Sequence, residues 1–165
     1  METPLNSYTF RNRRIRSWVE SRCKGVVLNL FAGRTLLNLD EMRVDKDDTA
    51  MADYHMDALD FVKFYRDRFP DPKYKFNTAV LDPPYSLRKS MEFYHGHKAS
   101  KFAILKKELQ YILAPDARMI TFGYSTTRTP GYRKVEILDL CHGGAYHDTL
   151  ALVEDRIKHG SLRDW

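Results

Sequence analysis

VVLNLF (26–31), NTAVLD (77–82) and RMITFG (118–123) are short apolar runs. They lack the polar–apolar alternation of a strand with one wet face. Such runs suit strands covered on both sides, the condition of a parallel sheet. Between them apolar residues recur at helical spacing. In 12–24 these are Ile15, Trp18, Val19 and Cys23, and Gly25 is placed to stop the helix. From Asp57 to Phe69 they are Leu59, Val62, Tyr65 and Phe69, with Pro70 next. From about Ser100 to Leu113 they are Phe102, Leu105, Leu109 and Ile112, with Pro115 as the closing residue. EMRVD (41–45) and MADYH (51–55) read as two further strands. Alternating strands and helices predict a doubly wound α/β sheet, mostly parallel, with helices on both faces. VEILDLC (135–141) and TLALVE (149–154) are joined by too few residues for a parallel crossover. The last strand is therefore predicted to run antiparallel.

The 165 residues, 43% hydrophobic and 30% charged, have the balance of one globular domain. Residues 1–24 form a basic helical segment expected to pack on that domain, and no separate target-recognition domain is expected. No run has the length of a membrane span, and the first residues lack the layout of a signal peptide, so a cytoplasmic location is expected. Cys23 and Cys141 lie far apart and match no metal or redox spacing. No metal is expected. His142 and His147 flank paired glycines beside Cys141, which suits a hairpin turn better than a zinc site. Net charge is +5, and Arg11, Arg13, Arg14, Arg16, Arg22 and Lys24 crowd the first 25 residues. That pattern admits an anionic partner such as nucleic acid, or simply a solvated basic helix face.

VLDPPYS (80–86) ends the fourth strand. Ligands of open parallel sheets bind beyond the carboxyl ends of the strands, where Asp82 falls. Proline fixes φ and pushes its neighbour towards extended backbone. Asp82, Pro83 and Pro84 thus form a stiff ledge bearing a carboxylate and carbonyl oxygens, with the ring of Tyr85 one step on. A carboxylate and a carbonyl can each accept a hydrogen bond from one amino group, drawing its nitrogen towards a tetrahedral shape. A ring can stack on a base, typically for ~1–3 kcal/mol. The bland reading is a tight turn with a capping aspartate.

These residues give the chain its likeness to a known family. It resembles the S-adenosylmethionine-dependent amino-methyltransferases with a DPPY motif, which methylate exocyclic nitrogens of bases, most often adenine. NLFAGRT (29–35) resembles the family's glycine-bearing loop, RVDKD (43–47) and YHMDALDF (54–61) its acids after the second and third strands, and VLDPPYS its catalytic motif. The resemblance spans roughly residues 5–155 in fold order, and only the DPPY segment is specific. It implies a Rossmann-like methyltransferase sheet and S-adenosyl-L-methionine as cofactor. It implies Asn29, Phe31, Ala32 and Gly33 along the cofactor loop, Asp45 on the ribose, and Asp57 on the cofactor's adenine with Met56 or Ala58 against its ring. Asp82, Pro83, Pro84 and Tyr85 would be the catalytic group. Asp45 can also be a solvated turn acid, and Asp57 a helix N-cap.

The chain departs from the pattern in two places. Family members often have an acid where Asn29 stands and a second glycine where Thr35 stands. Only about a dozen residues separate Gly33 from Asp45, so the first crossover helix must be very short or irregular. Ser86, Lys89, Arg128 and Arg133 are the candidate substrate contacts, in two basic, aromatic loops. Tyr8, Thr9 and Phe10 stand where the family has a segment lying over the cofactor, or belong to a disordered leader.

The expected reaction is methylation of an adenine amino group in nucleic acid, with DNA slightly favoured over RNA. The alternatives are guanine or cytosine amino groups, or a nucleic-acid-binding subunit that has lost catalysis. A bare catalytic domain would take its target selectivity from loops, a partner subunit or a homodimer.

Overall fold

The computed structural model describes residues 9–83, 101–141 and 148–157. A turn of 3₁₀ helix, Thr9–Arg11, leads into helix α1, Arg13–Arg22. Asn12 caps that helix, its side-chain oxygen accepting from the backbone N–H groups of Arg14 and Ile15. Strands β1 (Val27–Leu30), β2 (Glu41–Asp45) and β3 (Tyr54–His55) follow, then helix α2 (Ala58–Arg68) and strand β4 (Phe76–Leu81). Helix α3 (Lys101–Leu109) precedes β5 (Leu113–Gly123), β6 (Tyr132–Leu140) and β7 (Thr149–Arg156).

All seven strands form one sheet in the order β3-β2-β1-β4-β5-β7-β6. The first five are parallel to one another, and β7 runs antiparallel between β5 and β6. The last strand is thus reversed, as expected, and it slots inside the hairpin's own edge.

Helices cover both faces. The α2 and α3 side buries Phe61, Val62, Tyr65, Phe102, Leu105 and Leu109 against Leu28, Leu30, Ala79 and Leu81. The other side buries Phe10 and Val19 against Val27, Val80, Ile120 and Phe122, with Ile15, Trp18 and Cys23 packed around them. The alternation along each strand assigns one residue to each face, and both are apolar, which is why the runs read as continuous.

Two expectations need correction. Pro115 does not close a helix: α3 ends at Leu109, and Pro115 lies within β5. Phe76 pairs with Leu113 while Thr78 pairs with Arg118, so the ladder is interrupted between them. Proline's missing N–H is tolerated in such an irregular stretch. MADYH forms only the two-residue strand Tyr54–His55. Gly25 does lie just past α1, at φ +57, and a Cβ there would come within 2.2 Å of Asn77 Oδ1. The turn from helix to β1 is tight because of it. No helix among the described residues is long and apolar enough to cross a membrane.

Ion pairs hold α1 to the sheet. The Arg22 guanidinium donates to both Glu136 oxygens at 3.0 and 2.9 Å, and Trp18 Nε1 donates to the same carboxylate at 3.0 Å. Within the sheet, Arg118 of β5 donates twice to Asp155 of β7, at 2.8 and 2.9 Å. Those donors lower the pKa of Glu136, Arg22 first and then Trp18, and Arg118 lowers that of Asp155. Both carboxyls titrate lower folded than unfolded, so their contribution is complete above the ordinary carboxylate range and is lost as pH falls through their depressed values. Urea midpoints measured against pH are expected to hold near neutrality and drop below about pH 4. Replacing Glu136 by Gln and Asp155 by Asn should make that acid limb shallower.

Candidate functional site

β1, β2 and β4 end side by side, because Leu30 pairs with Val44 on one flank and with Leu81 on the other. The residues that follow emerge together: Phe31, Ala32 and Gly33 after β1, Asp45 at the tip of β2, and Asp82 and Pro83 after β4. Backbone hydrogen bonds join them, Ala32 N to Val44 O at 3.1 Å and Asp82 N to Leu30 O at 3.5 Å. Val44 and Asp45 pair in turn with Tyr54 and His55. Met56 N donates to Asp45 O at 3.0 Å, bringing Met56, Asp57 and Ala58 to the same edge.

The loop after β1 is held in an unusual shape. Gly33 lies at φ +59, and Phe31 at φ +65 is the one non-glycine residue in that region among those described. A bulky side chain there costs of order 1–3 kcal/mol and persists only where the surroundings dictate it. Here they do. Asp45 Oδ2 accepts from Gly33 N at 2.9 Å, and its Oδ1 accepts from Asp47 N at 2.9 Å. Met51 N donates to Gly33 O at 3.1 Å.

Arg43 does the rest. It projects from β2 on the α1 side of the sheet and is 4% exposed. Its guanidinium donates to the carbonyls of Ala32 (2.9 Å), Gly33 (3.2 Å) and Thr35 (3.0 Å), to that of Met51, and to Glu41 Oε1 at 2.6 Å. Glu41 Oε1 also accepts from Leu37 N at 2.9 Å, and its Oε2 from Asn29 Nδ2 at 2.8 Å. The crossover from β1 to β2 contains no helix. A loop in that place leaves backbone groups without helical partners, and buried ones must find others. Arg43 and Glu41 supply them.

Asn29 is fully buried, and its Oδ1 has no hydrogen-bond partner among the described residues. Asp57 caps α2, its Oδ1 accepting from Leu59 N at 2.9 Å, and its Oδ2 accepts from Lys101 Nζ at 2.9 Å. Burial pushes the Asp57 pKa up, but the hydrogen bonds from Lys101 and Leu59 outweigh it and the net shift is down. The carboxylate therefore stays charged at neutral pH and links the first turns of α2 and α3. Ala58 is buried beneath it, while Met56 and Phe31 are partly buried against the core. The acids at this edge suit a ligand carrying positive charge, and the positive-φ loop presents backbone close to whatever binds there.

The other sequence candidates fall elsewhere. Pro84, Tyr85, Ser86 and Lys89 lie outside the described residues, as do Tyr8, His142 and His147. Arg133 pairs in register with Asp155, which pairs with Arg118. This is the amino-terminal end of the parallel strands, opposite Asp82, so Arg133 does not join the site. Arg128 is exposed beside Thr129, whose N–H and hydroxyl both donate to the buried Glu154 at 2.7 Å. Glu154 pairs with Met119, three residues short of Phe122. That anchor draws the β5–β6 loop back along the sheet and takes Arg128 with it. Phe10 is buried, its ring edge-on to Phe122 at 5.6 Å, so it is a core residue. Cys141 lies with Asp139 and Asp148, all exposed and with ligand atoms within 4.8 Å of one another.

Sequence reading missed Glu41, Arg43 and Lys101. A signal for the first two was present: charges two apart on a strand share one face, and an internal strand leaves neither face wet. Lys101 carries no comparable signal.

The fold recurs in solved structures. TrmN from Thermus thermophilus matches 93% of this chain at 14% identity with a TM-score of 0.62, and the chain spans 50% of its length. The N-methyltransferase NodS from Bradyrhizobium japonicum WM9 matches 90% of this chain and 96% of its own, at 12% identity and a TM-score of 0.58. The 1,6-didemethyltoxoflavin-N1-methyltransferase from Burkholderia thailandensis, solved with bound 1,6-didemethyltoxoflavin and S-adenosylhomocysteine, matches 94% and 93%, at 12% identity and a TM-score of 0.54. The chain thus has the Rossmann-like methyltransferase fold. No protein-family model matches it, nor does any curated protein sequence.

Arg43→Met should cost about 3–5 kcal/mol of folding free energy, because it leaves Glu41 buried without its counter-ion. Adding Glu41→Gln should recover part of the loss. Chemical denaturation of the two single variants and the double variant gives the coupling between them.

Proposed function

We propose that this chain is an S-adenosylmethionine-dependent methyltransferase acting on the exocyclic amino group of adenine in nucleic acid. The observation that carries the reading is the convergence of three strand ends. The Phe31–Gly33 loop, Asp45 and the Asp82-Pro83 ledge lie side by side at the carboxyl edge of a methyltransferase-fold sheet. One acid stands on the loop side and another on the ledge, which supports reading a cofactor subsite next to an amino-group acceptor.

In this reading Phe31, Ala32 and Gly33 line the methionine part of the cofactor, Asp45 meets the ribose, and Met56, Asp57 and Ala58 meet its adenine. Asn29 stands beneath the loop, and its Oδ1 has no partner among the described residues. Bound there, S-adenosylmethionine supplies an electrophilic methyl group on a sulfonium. Asp82 accepts one amino N–H of the target base, and the carbonyl of Pro83 accepts the other. The nitrogen is held with its lone pair outward, and Asp82 is the carboxylate available to take the proton that the methylated nitrogen sheds. Pro84 and Tyr85 complete the ledge and the stacking ring in this proposal. A duplex target must be turned out of its stack to reach that edge. Positioning and charge complementarity carry the rate.

One observation favours a second reading. Both oxygens of Asp45 are engaged by backbone N–H groups, and Asn29 stands where related enzymes often have an acid. A subunit that keeps the fold and binds nucleic acid without catalysis would show the same features. Measured cofactor affinity separates the two.

Labelled S-adenosylmethionine incubated with DNA and RNA pools, followed by nucleoside mass spectrometry, tests the proposal. Methyladenine in one pool is the expected product. Asp82→Ala should retain cofactor binding within a few-fold and lose methyl transfer by at least about 100-fold. Near-normal turnover in that variant sinks the assignment of Asp82. Methylguanine or methylcytosine as the product shifts the base while keeping the chemistry.

A further inference from the structure

Resting on the nucleic-acid reading, we propose that Arg11, Arg13 and Arg14 form a phosphate-binding rim that holds the target strand's backbone beside Asp82.

Position supports this. Phe10 packs on Phe122, and at the far end of α1 the Arg22 carbonyl accepts from Arg118 Nη1 at 3.0 Å. α1 therefore runs back along β5, its start at the carboxyl edge and its end at the amino edge. Its ten residues, roughly 15 Å of helix, match the ~13 Å that β5 climbs from Arg118 to Phe122. One step beyond the Leu81–Thr121 pair, Asp82 and Phe122 are neighbours on adjacent strands, about 5 Å apart. The start of α1 and the Asp82-Pro83 ledge thus share one edge of the molecule.

Charge supports it as well. Arg11, Arg13 and Arg14 are exposed, and their side chains have no hydrogen-bond or ion-pair partner among the described residues. The remaining cations of the segment are engaged: Arg16 by Glu20, Arg22 by Glu136, Lys24 by Asp155 and the carbonyl of Asp116. The backbone N–H groups of Arg14 and Ile15 are already capped by Asn12, so the attraction is that of the side chains. Asp45, Asp47 and Asp57 flank the β2 and β3 ends, and the three arginines flank β5. The three arginines put positive charge beside the β5 end, where it attracts a polyanionic strand. Arginine suits phosphate oxygens because its planar fork donates two parallel hydrogen bonds. Phosphate contacts fix register without reading sequence.

The test is fluorescence anisotropy of short labelled single strands, DNA and RNA of one sequence, titrated with the full chain across a salt series. The variants are a triple Arg→Gln and a triple Arg→Lys at 11, 13 and 14. If three phosphate contacts are lost, the Gln variant should reduce the slope of log K against log salt by about 2. At low salt its affinity should fall by at least tenfold, while its melting temperature and S-adenosylmethionine binding stay at wild-type values. The Lys variant should keep most of the slope. Equal loss on both polymers assigns the contact to the phosphodiester backbone. An unchanged slope in a Gln variant of a wild-type chain that binds and methylates nucleic acid overturns the rim alone. A wild-type chain that binds neither strand overturns the rim and the nucleic-acid substrate together, and its activity on small amines would then show whether methyl transfer stands without them.

Discussion

A single buried guanidinium shapes the front of this molecule. Arg43 reaches from β2 to four backbone carbonyls and one carboxylate, and with Glu41 it fills the place of the first crossover helix. A helix would satisfy its own backbone and need only an apolar stripe beneath it. An irregular loop cannot, so the underside of this loop is polar and its donors come from the strand. Desolvating the guanidinium is costly, and it is offset only because nearly every donor is matched. The left-handed Phe31 and the Asp45–Gly33 bond are further parts of the same over-determined loop.

Much of the fold was legible because burial on both faces leaves a plain mark. The runs at 26–31, 77–82 and 118–123 all became internal strands, and the short link between the last two strands forced them antiparallel. The helix from Asp57 was marked at both ends, by an acid that caps it and a proline that follows. The misses have local causes. Pro115 looked like a helix stop because proline punctuates helices, yet an interrupted stretch of β5 tolerates it equally well. The apolar stripe before it was real and ended one turn early.

The site divides in the same way. The order of strand ends placed Gly33, Asp45, Asp57 and Asp82 on one edge, since topology alone decides which loops share it. Side-chain commitments were not legible. Nothing in RVDKD tells that Asp45 spends both oxygens on backbone N–H groups, or that Lys101, 44 residues away, takes one oxygen of Asp57. Arg133 was misplaced because a basic loop near a strand end looks alike at either edge. Only the antiparallel register shows that β6 begins at the far side.

The place of β7 has a consequence for how the molecule is made. Among the described residues, β6 touches the sheet only through β7, and β5 meets no strand but β4 until β7 arrives. A nascent chain that has emerged only through Leu140 carries an open β5 edge and a β6 with nowhere to dock. Strand edges of that kind recruit other chains. Sheet closure is therefore one late insertion event, with two ladders forming at once on either side of a strand rich in buried residues. The central parallel part can order as it leaves the ribosome, and the protection of its edge waits on the final strand.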